Sequence, residues 1–188
     1  MHDHLKPFTD YLLNLGIERV PHTQKNYLAH LISVYHFMKN EGCTEELCQA
    51  GMFHSIYGTQ QFQGFKLPTE SRQQVRELIG DRAEKLAYLN CAMKRETVDA
   101  IVNQKEEPYR FLDRITGEEV TLNRTDFDDL CRVHLFDWLE QVPRSRWWDY
   151  RRAAYRRMAE RLGGPAEESY RRVFAEENAA ADGAGTPG

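Results

Sequence analysis

Apolar residues along this chain recur mainly at three- and four-residue steps, the period of a helix that buries one stripe. In "QKNYLAHLISVYHFMKNEG" the stripe is Tyr27, Leu28, Leu31, Ile32, Tyr35 and Met38; Thr23 is placed to cap the helix and Gly42 to end it. A shorter helix, "DHLKPFTDYLLNLG", precedes it and stops at Gly16. Thr44 opens another, "EELCQAGMFH", and a polar loop then runs to Pro68. "TESRQQVRELIG" and "DRAEKLAYLNCAMK" read as two more helices, with a further one over 95–104. A long helix, "DFDDLCRVHLFDWLEQV", is expected to begin at Asp126 and end before Pro143. "SRWWDYRRAAYRRMAERLGG" and "PAEESYRRVFAEE" complete the series.

One segment breaks the helical period. In "YRFLDRITGEEVTL", Thr116-Gly117 separates two short runs containing Phe111, Ile115, Val120 and Leu122, which predicts a small hairpin. The expected fold is therefore all-α, a helical bundle with one small β-hairpin. It forms a single domain over 1–175, followed by a small, polar, disordered tail over 176–188.

Composition narrows the class. A formal charge of −4 and 41% hydrophobic residues suit a folded globule and give no general attraction to nucleic acid. The arginine-rich stretch from Arg144 to Arg161 alternates with Trp147, Trp148, Tyr155 and Met158, the pattern of an amphipathic helix packing its aromatics inward. No nucleic-acid partner is expected from it, and the same aromatic density would suit a homodimer interface. No apolar run approaches the ~20 residues that span a bilayer, so no membrane association and a cytoplasmic location are expected. Cys43, Cys48, Cys91 and Cys131 form no CxxC pair and read as small buried thiols.

Three residues carry the candidate chemistry. His30 lies within the second helix, His54 ends the third after apolar "AGMF", and Asp137 sits between Leu135, Phe136, Trp138 and Leu139. An acid in that company is either exposed or buried with a partner, since an unpaired buried carboxylate is costly. Alone, His30 would be a core histidine satisfied by backbone; with His54 and Asp137 a shared site is the better account. His134 is three residues before Asp137 and shares its face, where it reads as a supporting or capping residue sooner than as a member of the site. His22 is an extra candidate at the mouth, and His2, His4 and His36 are expected to face solvent.

These motifs carry a resemblance. "YLAHLISVYHFMKNEGCTEELCQAGMFHS" is similar to the opening of HD-domain metalloenzymes, nearest in spacing to the branch that hydrolyses guanosine polyphosphates. "HLFDWLEQ" resembles that superfamily's last metal-ligand helix, and "AGMFHSIYGT" with "DWLEQVPR" also looks like a group of related bacterial and fungal proteins. The resemblance implies an HD-like bundle with His30, His54 and Asp137 as metal ligands. It also places Gln141 near a substrate-contacting amide. The chain departs from the pattern at the dyad aspartate, which is Ser55 here, and at the following acidic pair, replaced by the Tyr57–Thr59 region.

Loss of the bridging carboxylate argues for one divalent transition metal, iron, manganese or cobalt, with zinc also suited to the donors. Gly58 would turn the chain so that Tyr57 or Thr59 enters the pocket as a catalytic group, with Asn26, Ser55 and Gln141 contacting substrate. The implied activity is hydrolysis of a small polar metabolite by a metal-activated water. Two alternatives stay open: an iron oxygenase using the same triad, and a non-catalytic descendant that binds a ligand or partner.

Overall fold

The computed structural model describes residues 3–22 and 25–182. Helix α1 (Lys6–Asn14) stops where Gly16 takes a left-handed conformation, and two-residue strands β1 (Pro21–His22) and β2 (Lys25–Asn26) pair before α2 (Tyr27–Asn40). Helix α3 is Glu45–Met52, α4 Arg72–Ile79, α5 Asp81–Ala92 and α6 Arg95–Ile101. Strands β3 (Tyr109–Leu112) and β4 (Glu119–Leu122) form the expected antiparallel hairpin, with Tyr109 opposite Leu122. Helices α7 (Arg124–Ser145), α8 (Arg152–Leu162) and α9 (Gly164–Asp182) follow. The architecture is all-α with a small hairpin.

The core forms where α2, α3, α5 and α7 turn their stripes inward. Helix α2 buries Tyr27, His30, Leu31, Val34, Tyr35 and Met38, close to the three-and-four pattern of its sequence. Helix α3 lies against it at Gly51. A Cβ there would stand 2.3 Å from Met38 Sδ and 3.3 Å from Val34 Cγ1, so glycine is what permits the close approach. Helix α7 is buried over most of its middle, from Leu130 through Leu139. Cys48, Cys91 and Cys131 are buried and Cys43 is half-buried, all as free thiols; burial pushes the Cys91 and Cys131 thiols up to about 12.

Several boundaries differ from expectation, each for a local reason. Helix α2 is capped by Asn26, whose side chain accepts the Ala29 N–H at 2.8 Å; Thr23 lies outside the described residues. Helix α7 starts at Arg124 because Asn123 accepts the Asp126 N–H at 2.9 Å. It also continues two residues past Pro143, to Ser145, although the proline supplies no N–H to the turn before it. The helix expected from Ser145 begins only at Arg152. Arg146 (φ 56°) and Arg151 (φ 47°) are left-handed and bracket a turn in which Tyr150 N–H bonds the Trp147 carbonyl at 2.9 Å. Helix α9 runs to Asp182, so the stretch 176–182 of the expected tail is helical, and 183–188 lie outside the described residues.

Candidate metal centre

Three separate elements bring the expected ligands together. His30 projects from the end of the first turn of α2, and Asp137 from the middle of α7. His54 stands just past α3, where its backbone N–H bonds the Gly51 carbonyl at 3.3 Å. All three are buried, with one ligating atom from each lying within 4.8 Å of the others. Asp137 Oδ1 is 3.2 Å from His30 Nε2 and 3.2 Å from His54 Nε2. Metal–ligand bonds of about 2.0–2.2 Å put neighbouring donor atoms roughly 3–3.5 Å apart, so the spacing matches adjacent vertices of one coordination sphere.

Hydrogen bonds behind the rings decide which nitrogens face inward. His54 Nδ1 lies 2.7 Å from the Gly51 carbonyl oxygen, which can only accept, so Nδ1 carries the proton. His30 Nδ1 lies 3.0 Å from Glu140 Oε2, and Arg144 grips both oxygens of that carboxylate at 2.6 and 2.7 Å. In their neutral forms both imidazoles therefore aim an Nε2 lone pair at the same anionic oxygen. Asp137 Oδ1 is buried and accepts no hydrogen bond. Two lone pairs and an anion in contact are unfavourable without a cation between them; a proton on one ring relieves one contact, and a divalent ion relieves both. The donor set fits a single metal ion.

The electrostatics follow from these contacts. Burial opposes the Asp137 charge, but the two imidazoles outweigh it and hold the carboxyl well below its ordinary range. Burial would lower the His30 pKa, yet Asp137 and Glu140 raise it overall. Burial and then the Arg151 charge push His134 the other way, keeping it neutral. His134 Nδ1 bonds Asn90 Oδ1 at 3.0 Å, and Asn90 Nδ2 donates to the His54 carbonyl at 2.8 Å. His134 thus supports the backbone at His54, with its other ring nitrogen 2.7 Å from Arg151 Nη1.

A cavity of about 240 Å³ opens beside this cluster, lined among others by His54, Asp137, Ser55, Thr59 and Gln141. Ser55 Oγ is 2.9 Å from the Tyr27 hydroxyl, and Thr59 Oγ1 accepts the Phe62 N–H at 2.9 Å. Two expected site residues do not join them. The Tyr57 hydroxyl donates to Glu84 at 3.0 Å, in a buried cluster with Arg72 and Arg76 away from the cavity lining. Left-handed Gly58 (φ 74°) aims only Thr59 into the cavity. Asn26 is exposed and spent on capping α2, so it is not a substrate contact in this arrangement. The His22 side chain lies outside the described residues; His4 and His36 are exposed.

Sequence reasoning missed Glu140 and the residues of the cavity mouth. Glu140 is three residues past Asp137 on α7, a spacing that shares a helix face and marks it as a candidate partner. Arg95, Tyr150 and Trp147 also line the cavity. Trp147 and Tyr150 are reached only through the left-handed turn at Arg146–Arg151, which helical phasing does not foresee.

The family model described as "Domain of unknown function (DUF6817)" matches residues 11–95, a segment holding His30 and His54 and ending before Asp137. No curated protein and no solved structure matches the chain. Among the described residues, no helix is long and apolar enough to cross a membrane.

Proposed function

We propose that this chain is an HD-like metal-dependent enzyme that hydrolyses a small polar metabolite at one divalent ion held by His30, His54 and Asp137. The observation that carries the reading is Asp137 Oδ1, buried without a hydrogen bond and 3.2 Å from two Nε2 atoms whose rings are turned by their other nitrogens. A divalent ion in that position would lower the pKa of a bound water toward neutrality and polarise an electrophilic substrate atom.

The chain's own residues supply the rest. His54 and Asp137 border the cavity, whereas His30 is fully buried behind them, so substrate approaches from one side. Ser55 stands where a bridging carboxylate would be needed for a second ion, and its hydroxyl is engaged with Tyr27. Thr59 and Gln141 present a hydroxyl and an amide to whatever occupies the cavity. Asn90 and His134 hold the His54 backbone in place, which keeps its ring aimed at Asp137.

A second reading, an iron-dependent oxygenase, draws on one specific feature. Two histidines and one carboxylate on a common face, with no other acid lining the cavity among the described residues, is the donor set of mononuclear non-haem iron enzymes. The two readings part on dioxygen. Metal-loaded protein is tested against a panel of chromogenic esters and amides, with and without chelator, and in an oxygen electrode with and without air. Chelator-sensitive hydrolysis that persists anaerobically supports the first reading, and substrate-dependent oxygen uptake supports the second. Wild-type protein that binds no metal sinks both.

A further inference from the structure

Arg95 opens α6, is 8% exposed and lines the same cavity as His54 and Asp137. Its guanidinium is charged at every accessible pH. Its Nη1 donates to the Tyr150 hydroxyl at 2.6 Å, and among the described residues no carboxylate pairs with it. Several other half-buried arginines are matched with acids, Arg151 with Asp99 at 3.0 Å, Arg161 with Asp128 at 2.6 Å and Arg144 with Glu140 at 2.6 Å, while Arg114 is answered by the Cys91 and Gly58 carbonyls. Among the described residues, Arg95 has neither kind of partner on Nε or Nη2. Asp137 shares the cavity wall, but it faces His30 and His54 and forms no ion pair with Arg95. A buried cation without a counter-ion is costly unless something outside the chain completes it. The Nε and Nη2 groups, which have no partner among the described residues, form an edge suited to a two-oxygen anion.

The walls around this cation are aromatic. Trp138 stacks on Tyr155 with ring centres 5.3 Å apart and planes 9° from parallel, and Tyr150 leans on Trp138 at 5.2 Å. Phe62 and Trp147 complete the lining, with Trp147 60% exposed at the edge. At about 240 Å³ the space falls below the roughly 300–1,000 Å³ that houses drug-sized ligands.

We infer that Arg95 anchors the negative end of the substrate, so that the metal centre takes a small organic anion, a carboxylate or phosphate on a flat apolar body. This rests on the cavity being the substrate site of the proposed metal-dependent enzyme. Arg95 is here a binding and orienting residue: it fixes the anion, and the aromatic faces hold the body while the reacting atom lies toward His54 and Asp137. One charge-assisted pair in such a site discriminates an acid from its neutral amide by roughly tenfold or more.

The test uses full-length protein stripped of metal by extensive dialysis, so that its outcome does not depend on metal binding. Benzoate, benzamide and inorganic phosphate are titrated against tryptophan fluorescence in wild type, Arg95→Gln and Arg95→Lys. Saturable benzoate binding is expected, with benzamide and phosphate each about tenfold weaker or worse. Arg95→Gln, with wild-type helical content, should lose benzoate binding by about tenfold or more. Arg95→Lys keeps the charge without the fork and should fall between; it decides the matter if the glutamine variant does not fold.

Equal binding of benzoate and benzamide, or benzoate affinity untouched in both variants, overturns the inference. So does the absence of saturable benzoate binding up to about 10 mM. Phosphate binding as tight as benzoate overturns the flat body. Metal stoichiometry, measured separately on reloaded protein, should be unchanged in Arg95→Gln; its failure in wild type would count against the metal reading and leave the anion site standing.

Discussion

Across 110 residues of chain, Glu140 Oε2 meets His30 Nδ1 at 3.0 Å, and that contact turns Nε2 of the ring toward Asp137. A carboxylate behind a metal-ligating histidine fixes its tautomer and raises its basicity. Glu140→Gln preserves shape but removes the charge and weakens the hold of Arg144. Metal affinity is expected to fall about 10–100-fold, read by competition against a chromophoric chelator. Unchanged affinity would mean that packing on α2 alone orients His30.

Gly51 serves the site twice, through its carbonyl on His54 Nδ1 and through the space it leaves for Met38. Gly51→Ala forces Met38 aside and is expected to destabilise the fold by about 1–3 kcal/mol in urea unfolding. Metal affinity should drop with it, since α3 carries His54 away from α2. Wild-type stability would show that Met38 repacks without moving the helix.

Tyr57 separates neighbouring residues that sequence could not tell apart. Its hydroxyl belongs to the Glu84 cluster, which Arg72 and Arg76 keep satisfied without it. Tyr57→Phe is expected to cost about 1 kcal/mol of stability and to leave metal stoichiometry unchanged. Thr59→Val, by contrast, removes a hydroxyl from the cavity wall. Loss of metal in Tyr57→Phe would contradict this placement.

The difference between Tyr57 and Thr59 shows what was legible. His30, His54 and Asp137 could be found because each stands at a fixed phase on a strongly periodic helix or at its end, and helical phase survives small errors in boundary. The bundle and the hairpin were legible for the same reason, period and turn chemistry being local properties. Tyr57 and Thr59 flank a left-handed glycine, where a single backbone angle decides which side chain enters the cavity. Asn26 misled because a cap and a ligand contact both call for an exposed amide near a helix start. Arg95 and Tyr150 come from distant segments, and their meeting at 2.6 Å is a tertiary fact with no local signal.

Acid stability is expected to report on Asp126. Burial opposes its charge, but hydrogen bonds from Lys85 (2.7 Å) and Arg82 (2.6 Å) outweigh that cost and hold the carboxyl below its ordinary range. Because the folded pKa lies below the unfolded value of about 3.9, the contribution is full above that pH and is lost as pH falls through the folded pKa. Asp126→Asn should therefore lower stability at neutral pH by about 1–2 kcal/mol, with the difference from wild type shrinking below about pH 4. Denaturant midpoints across pH 2–7 measure it; a gap that widens on acidification would reverse the assignment.

Metal stoichiometry of wild type and Asp137→Ala measures the central claim most directly. Protein purified without a chelating tag, loaded with manganese or cobalt and desalted, should hold one equivalent per chain in the wild type. Asp137→Ala, having lost the anionic ligand on which both Nε2 atoms converge, should hold none. Its melting temperature should not respond to chelator, whereas that of loaded wild type should fall. Two equivalents in the wild type, or wild-type metal content in Asp137→Ala, would contradict a mononuclear site built on His30, His54 and Asp137.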